Sequence, residues 1–97
     1  MSHTAITENR RLHLLKCLKL SPRYTMSNAL LKDMLARIGL SESLAVIDND
    51  LAWLERLDLI TTNELGNITL AMLRQEGVDV VDGVTVVKGI ARPLPEN

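Results

Sequence analysis

The side chains of this sequence best suited to chemistry are those that could contact nucleic acid, and they are found on predicted helices. Asn49 carries an amide of the kind that pairs with adenine in the major groove. The hydroxyl of Ser43, at the start of the same helix, could hold a phosphate oxygen. Cations nearer the N-terminus could bind the phosphate backbone. The candidate DNA-binding set is therefore Ser43, Asn49, Arg10, Arg11, Lys32 and Arg37.

The distribution of charge argues against a simple DNA-reading helix. Residues 1–40 carry seven basic and two acidic side chains, a net charge of +5, whereas residues 41–97 carry four basic and ten acidic ones, a net charge of −6. Contact with duplex DNA usually leaves a basic footprint on the protein. Here that footprint falls on the first two predicted helices rather than on the third, where bases would be read.

The third predicted helix is acidic on the side that would face DNA. Asp48 and Asp50 would repel phosphates, and no Lys or Arg occurs between Arg37 and Arg56. Residues 63–67, in the segment that follows, hold no cation either. A simpler interpretation is that the two carboxylates form a solvated acidic face and that the N-terminal cations lie on solvated helix faces.

Other chemistries find less support. His13 and Cys17 are four residues apart and share a helix face, but a typical zinc site needs three or four protein ligands. The chain has no glycine-rich phosphate loop and no nucleophile motif. We expect no enzymatic activity, no metal, no cofactor and no small-molecule ligand. Because a single cysteine cannot form an intrachain disulfide, we expect Cys17 on the buried face of the first helix.

Composition indicates one aliphatic domain. Ninety-seven residues leave little room for a second core, and 46% of them are apolar although only one Trp, one Tyr and no Phe are present. No apolar run approaches the roughly 18 residues of a membrane span. The first residues, 1–11, lack the apolar segment of a signal peptide. The sequence therefore predicts a cytoplasmic protein.

The first helix is predicted over residues 7–20. Thr7 or Thr4 could cap its start, and Ser21-Pro22 should end it, because proline disfavours helical geometry in the residue before it. Its buried stripe is predicted to consist of Leu12, Leu14, Leu15 and Leu18.

Two further helices are predicted in close succession. Ser27 is a good N-cap for the second, and Gly39 is placed for the left-handed residue at its end. Ser41 could cap the third, which we expect from Glu42 to about Leu57. Two helices joined by so short a turn form a helix-turn-helix. The inward faces should hold Ala29, Leu30, Met34, Leu35 and Ile38 in the second helix, and Leu44, Ile47, Leu51 and Leu54 in the third.

A β-hairpin is predicted after the third helix. Asp58 stands at the helix exit, where a left-handed residue is needed and Asp is tolerated better than most. Thr and Ile are enriched in residues 59–63 and 67–72, which favours strands. The turn between them is predicted at residues 64–66, with Gly66 or Asn67 at positive φ.

A fourth helix and a tail complete the prediction. The helix should cover residues 74–82, with Gly77 placed for close packing and Gly83 ending it. We predict one domain over residues 1–83. Residues 84–97 should form an extended, β-prone tail that packs on the domain or on a partner chain, because an exposed apolar tail is a liability.

This order of elements resembles the MarR/ArsR-type winged-helix superfamily, a likeness that rests on Leu51, Leu54, Glu55, Leu59, Ile60 and the hairpin. A closer resemblance, through residues 10–12, 50–55, 76–83 and 89–93, covers nearly the whole chain. It is to a small family of Mu-like phage and prophage proteins often labelled ArsR-like regulators. The resemblance implies an α+β, mainly helical, winged helix-turn-helix fold with a three-helix core, a two-stranded β-wing, a C-terminal helix and a tail. It also implies a phage setting in a bacterial host cell.

Two functional hypotheses follow. The first is a phage or prophage transcriptional regulator that binds double-stranded DNA. The alternative is a winged-helix protein–protein interaction module without specific DNA binding, which the acidic third helix and the apolar tail favour. We also expect a homodimer, because winged-helix regulators commonly pair through their terminal helices and a two-fold contact is the commonest solution.

Overall fold

The computed structural model describes residues 4–94, which form helices and a three-stranded antiparallel sheet. The predicted α+β class is confirmed. Among these residues, none of the helices has the length and apolar character needed to cross a bilayer. The elements are α1 (Ala5–Leu20), β1 (Thr25–Ser27), α2 (Asn28–Arg37), α3 (Leu44–Arg56), β2 (Ile60–Leu65), β3 (Ile68–Leu73) and α4 (Gln75–Val81), with a 3-10 turn at Pro22–Tyr24.

Helix α1 provides one wall of the core, as predicted. Its N-cap is Thr4, whose side chain accepts the amide of Thr7, and it ends at Leu20 because Ser21 has extended backbone before Pro22. The predicted buried stripe is confirmed, since all of its members are almost fully enclosed: Leu12, Leu14, Leu15 and Leu18.

Helix α2 turns a different face inward from the predicted one. Ser27 caps it as expected, but its buried residues are Asn28, Leu31 and Leu35. Of the predicted stripe, Leu35 is buried and Met34 half-buried, but Ala29, Leu30 and Ile38 are exposed. Leu30 and Leu31 each begin an apolar pattern of helical spacing, so periodicity alone does not decide between the two phases. With Leu31 and Leu35 facing inward, Asn28 is also buried on that side of the helix and forms hydrogen bonds there.

Helix α3 begins later than predicted. The N-cap is Ser43, whose hydroxyl accepts the amide of Val46, so the expected cap at Ser41 is wrong and Glu42 precedes the helix. Leu44, at the first helical position, is correspondingly more exposed than expected. Ile47, Leu51 and Leu54 are buried as predicted. The left-handed residues at the two helix exits are confirmed at Gly39 (φ 82°) and Asp58 (φ 61°).

The sheet has the order β1–β3–β2. Strand β1 is not predicted from the sequence, which indicates only a short connector before the helix cap at Ser27. It pairs with β3, and Met26 lies opposite Ala71. The predicted hairpin is confirmed, but Leu65 pairs with Ile68, which moves its turn to residues 66–67. Gly66 supplies the positive φ (62°).

The free edge of β2 is covered by a side chain of α3. One carboxylate oxygen of Glu55 accepts the Thr62 amide at 2.8 Å, and the other accepts the Thr62 hydroxyl at 2.9 Å. A backbone donor that would otherwise point away from β3 is thereby satisfied.

Helix α4 packs closely against the base of the hairpin. A Cβ on Gly77 would collide with the carbonyl oxygen of Leu59 and the side chain of Leu73, which accounts for glycine within this helix. Val78 and Val80 are buried on the inward side of this helix, and Val81 is half-buried.

The segment after α4 forms turns rather than the β-structure its composition favours. Ile90 is buried, and the amide of Ala91 donates to the carbonyl of Glu8 at 3.1 Å. Val84 and Val86 are exposed. Residues 95–97, the end of the predicted tail, lie outside the described residues.

Candidate interaction surface

The outward face of α3 is formed by small side chains together with two charges of opposite sign, Asp48 and Arg56. Ala45, Asp48, Asn49 and Ala52 are all exposed there. Ser43 is also exposed, but its hydroxyl already serves as the helix cap. Two of the predicted base-side residues, Ser43 and Asn49, therefore lie on an accessible part of the molecule.

A buried asparagine ties this face of α3 to α2 and to the hairpin. Asn28 is 3% exposed, and its amide nitrogen donates to Asp48 at 2.8 Å. Its carbonyl oxygen accepts the amides of Ala29 (2.9 Å) and Thr69 (3.3 Å). Every polar atom of the side chain thus has a role. Asn28 was missed from sequence, where the only signal was a polar side chain directly after a helix cap.

Arg10, Arg11 and Asp50 form a buried ionic cluster between α1 and α3. The Nε atoms of Arg10 and Arg11 donate to the two oxygens of Asp50, at 2.5 and 3.2 Å. All three residues are less than a tenth exposed. The expectation that these arginines lie on a solvated helix face, and Asp50 on a solvated acidic face, is therefore wrong. Two arginines on consecutive positions of α1 converge on one carboxylate because charges in a core must be paired.

Arg11 makes two further contacts that extend the cluster. Its guanidinium lies over the ring of Trp53, 3.9 Å from the centroid, and Nη1 donates to the carbonyl of Gly89 at 3.2 Å. Arg10 has a second, longer ion pair with Glu42 at 3.8 Å. The cluster consequently joins α1, α3 and the segment after α4.

The other two predicted phosphate-binding residues are more accessible. Lys32 is half-buried and Arg37 exposed, both on α2, and within residues 4–94 neither has an ion-pair partner. Residues 57–73, which include the hairpin, contain no Lys or Arg. Their only charged side chains are those of Asp58 and Glu64. The hairpin therefore offers no cation.

The outward face of the hairpin is apolar. Leu65, Ile68 and Met72 are 54%, 48% and 46% exposed, whereas Ala71 and Leu73, on the opposite face of β3, are buried. Alternation along the strand explains this division. Sequence inspection marked these residues only as β-prone, since the side of the sheet that meets the core depends on the helices packed against it.

His13 and Cys17 do not belong to a larger ligand set. His13 shares a hydrogen bond between Nδ1 and the carbonyl of Asn9 at 2.9 Å, and within the described part of the chain no group of three or more potential metal ligands occurs. Cys17 packs partly against the core, and this burial raises the pKa of its thiol.

Comparison with known proteins yields one informative relative. Over 95 residues, the chain is 30% identical to the uncharacterized protein gp26 of Escherichia phage Mu, an alignment that covers 98% of each chain. No family model matches the sequence, and no solved structure matches it.

Proposed function

The chain belongs to the family of the phage Mu protein gp26, and from this premise we propose that it is a winged helix-turn-helix protein that acts by binding a protein partner. Support for the winged-helix assignment comes from the order of elements. Helices α2 and α3 are joined by residues 38–43, and α3 runs directly into the β2–β3 hairpin, which corresponds to the wing.

One observation carries the choice of a protein partner: the expected DNA-facing surface has few accessible cations. Arg10 and Arg11 are enclosed with Asp50, and the wing has no cation. The accessible charges on the outer face of α3 are Asp48 and, in the last turn, Arg56. Non-specific DNA affinity comes mainly from neutralising phosphates, so this surface is poorly suited to duplex DNA.

The exposed chemistry of α2 and α3 indicates the kind of partner. Leu30 on α2 and Leu44 on α3 are 46% and 37% exposed, and Asp48 is the nearby carboxylate on α3. A protein segment with apolar side chains and a cation would match these features. The setting is the cytoplasm of a bacterial host cell, in keeping with the phage relative.

Fluorescence anisotropy with labelled duplex DNA tests this proposal. At low salt and again at moderate salt, we expect no steeply salt-dependent binding, and Asp48→Asn should leave the result unchanged. A tight complex at low salt that weakens sharply as salt rises would contradict a protein partner as the main ligand.

DNA binding is the second candidate, and one specific observation favours it. Enclosure of Asp50 removes one of the two carboxylates that argued against α3 as a reading helix, while Lys32 and Arg37 on α2 have no ionic partner among residues 4–94. Contact would then be led by these two cations, with Ser43 and Asn49 nearest the bases.

The DNA-binding candidate makes its own prediction. Lys32→Ala and Arg37→Ala should each weaken binding on all sequences and lower the salt slope by about one. Asp48→Asn should strengthen it, because a repulsive charge leaves the interface. If all three variants bind like the wild type, phosphate-led contact through this surface is wrong.

A further inference from the structure

The outward face of the sheet is a continuous surface defined by strand register. Thr61 and Thr25 flank Met72, Asn63 and Ser27 flank Leu70, and Leu65 lies beside Ile68. Cross-strand neighbours point to the same side of a sheet. We call this surface the outer sheet face, formed by Thr25, Ser27, Thr61, Asn63, Leu65, Ile68, Leu70 and Met72.

The outer sheet face contains no ionisable side chain. Its polar members are hydroxyls and one amide, and its apolar members Leu65, Ile68 and Met72 remain about half exposed. A surface of this composition has no charge with which to select an oppositely charged partner. It can, however, meet an identical surface without repulsion.

We propose that the outer sheet face is the site at which two copies of this chain associate. The inference rests on the proposed function as a protein-binding module, and it makes a second copy one of the partners. Two sheets would pack face to face about 10 Å apart, with interdigitated side chains. If the two copies were related by a two-fold axis, each contact between two residues would occur twice, once in each direction across the interface.

Charge separates this face from the exposed apolar residues near the C-terminus, where the sequence predicts pairing. Val84 and Val86 are 75% and 58% exposed, but Lys88 and Arg92 follow in the same segment. Pairing two such segments about a two-fold axis would bring like charges together. The outer sheet face avoids this cost, so it replaces the terminal pairing expected from sequence.

The size of the face sets the strength of the contact. The six-residue strands β2 and β3 are about 20 Å long, and the three-residue β1 widens the sheet to about 14 Å over about half of that length. That area is smaller than the roughly 800 Å² per subunit of a standard interface. We therefore expect weak association.

Sedimentation velocity tests the proposal over protein concentrations from about 1 μM to about 1 mM. The wild type should shift from monomer to dimer, and Ile68→Lys should raise the dissociation constant about 100-fold, because each interface would bury two unpaired cations. Val86→Lys is the matched control, since it adds the same charge at a site that is likewise about half exposed and should leave the dimer intact. Circular dichroism and thermal melting establish that both variants fold.

Two results would overturn the proposal. One is a wild-type chain that stays monomeric up to the highest concentration. The other is a dimer that Val86→Lys disrupts and Ile68→Lys does not. Should Ile68→Lys lose the native spectrum, Met72→Lys provides the same test at the other end of β3.

The anisotropy measurements separate this inference from the proposed function. Steep, salt-dependent DNA binding together with an intact dimer would contradict the protein-binding function and leave the outer sheet face as the dimer contact. A monomer that does not bind DNA would contradict the self-association and leave the protein-binding function standing.

Discussion

Asp50 and its two arginines are the most consequential charges in the molecule. One carboxylate holds two guanidinium groups inside the interface of α1 and α3, and each of its oxygens accepts one Nε–H donor. A buried ion pair contributes little net stability when intact, but removing one partner leaves uncompensated charge in the core. The cluster therefore makes the packing of two helices depend on a single acid.

Replacing this acid should be much more harmful than replacing its neighbour. Asp50→Ala leaves Arg10 and Arg11 buried without their carboxylate and should lower the free energy of unfolding by about 3–5 kcal/mol. Asp48→Ala, at an exposed site two residues away, removes one hydrogen bond from Asn28 and should cost about 1 kcal/mol. Urea titration of both variants measures the difference, and equal losses would contradict the assigned role of the cluster.

Cys17 provides a second residue-level prediction. Burial disfavours the thiolate and raises the pKa of this thiol, so its reaction with iodoacetamide at pH 8 should be slower in the folded protein than in urea. The folded-state rate should keep rising with pH beyond the range where an ordinary thiol levels off. A folded protein that reacts as fast as the unfolded chain would show that the thiol is accessible.

The helices and the hairpin depend on a few positions at which they approach each other closely. Gly77 lets α4 lie against Leu59 at the start of β2 and Leu73 at the end of β3. Asn28 makes a corresponding connection near the other end of β3, between α2, α3 and β3. The position of the hairpin relative to the helices is therefore fixed at two points.

Gly77→Ala should destabilise the protein although alanine is the better helix former. The helix propensity gain is about 1 kcal/mol, whereas the added methyl group meets a backbone carbonyl and should cost more, leaving a net loss of about 1–3 kcal/mol. Gly66→Ala is an informative control, because it has open space around it and only an unfavourable positive φ. Thermal unfolding of both variants checks the comparison; a stabilised Gly77→Ala would contradict the close packing.

Leu54→Ala tests the core of α3. Its side chain is fully buried, so the substitution should leave a cavity and lower the free energy of unfolding by about 2–5 kcal/mol. The exposed Leu57→Ala, one turn later on the same helix end, should change stability far less. Chemical denaturation of the pair provides the measurement, and an unchanged midpoint for Leu54→Ala would count against the assignment.

Local sequence signals predicted most elements but not how they face one another. Caps at Ser27 and Thr4, the stop before Pro22 and the left-handed Asp58 are properties of a few adjacent residues, and the structure confirms them. The phase of α2 was wrong because Leu30 and Leu31 fit the same period. Strand β1 was missed because three residues carry too little pattern without their partner strand.

The candidate site was less predictable than the fold for the same reason. From sequence alone, two adjacent arginines on a helix indicate a solvated basic patch. Their burial depends on pairing with Asp50, which is about forty residues away in sequence. The apolar outer sheet face could not be separated from the core-facing side of β3 by composition. Both features arise from contacts between distant segments, which a single sequence does not encode locally.

At the scale of the whole molecule, the segment after α4 packs against α1 and contributes a side chain to the core. Ile90 is 5% exposed, Arg11 donates to the carbonyl of Gly89, and the amide of Ala91 donates to Glu8. The two ends of the described chain are thus held together along α1. The boundary of the domain at residue 83 stays a prediction.

Ile90→Ala examines this contribution. Loss of a buried side chain from the core should lower the free energy of unfolding by about 2–5 kcal/mol. Val86→Ala, in the same segment but exposed, serves as the control and should be nearly neutral. Guanidinium titration distinguishes them, and two neutral substitutions would mean that the folded domain is independent of residues 84–94.

The hydrogen bonds from Thr62 to the Glu55 carboxylate bear on how many copies of the chain could join edge to edge through their sheets. A free strand edge can recruit another strand, and each addition exposes a new edge, so growth has no natural end. Here one edge of the sheet is occupied by a carboxylate from the chain's own helix, and the other, β1, is only three residues long. The proposed association through the outer sheet face about a two-fold axis would use up that face in both copies. Such an assembly would contain two chains and present no long free strand edge for further addition.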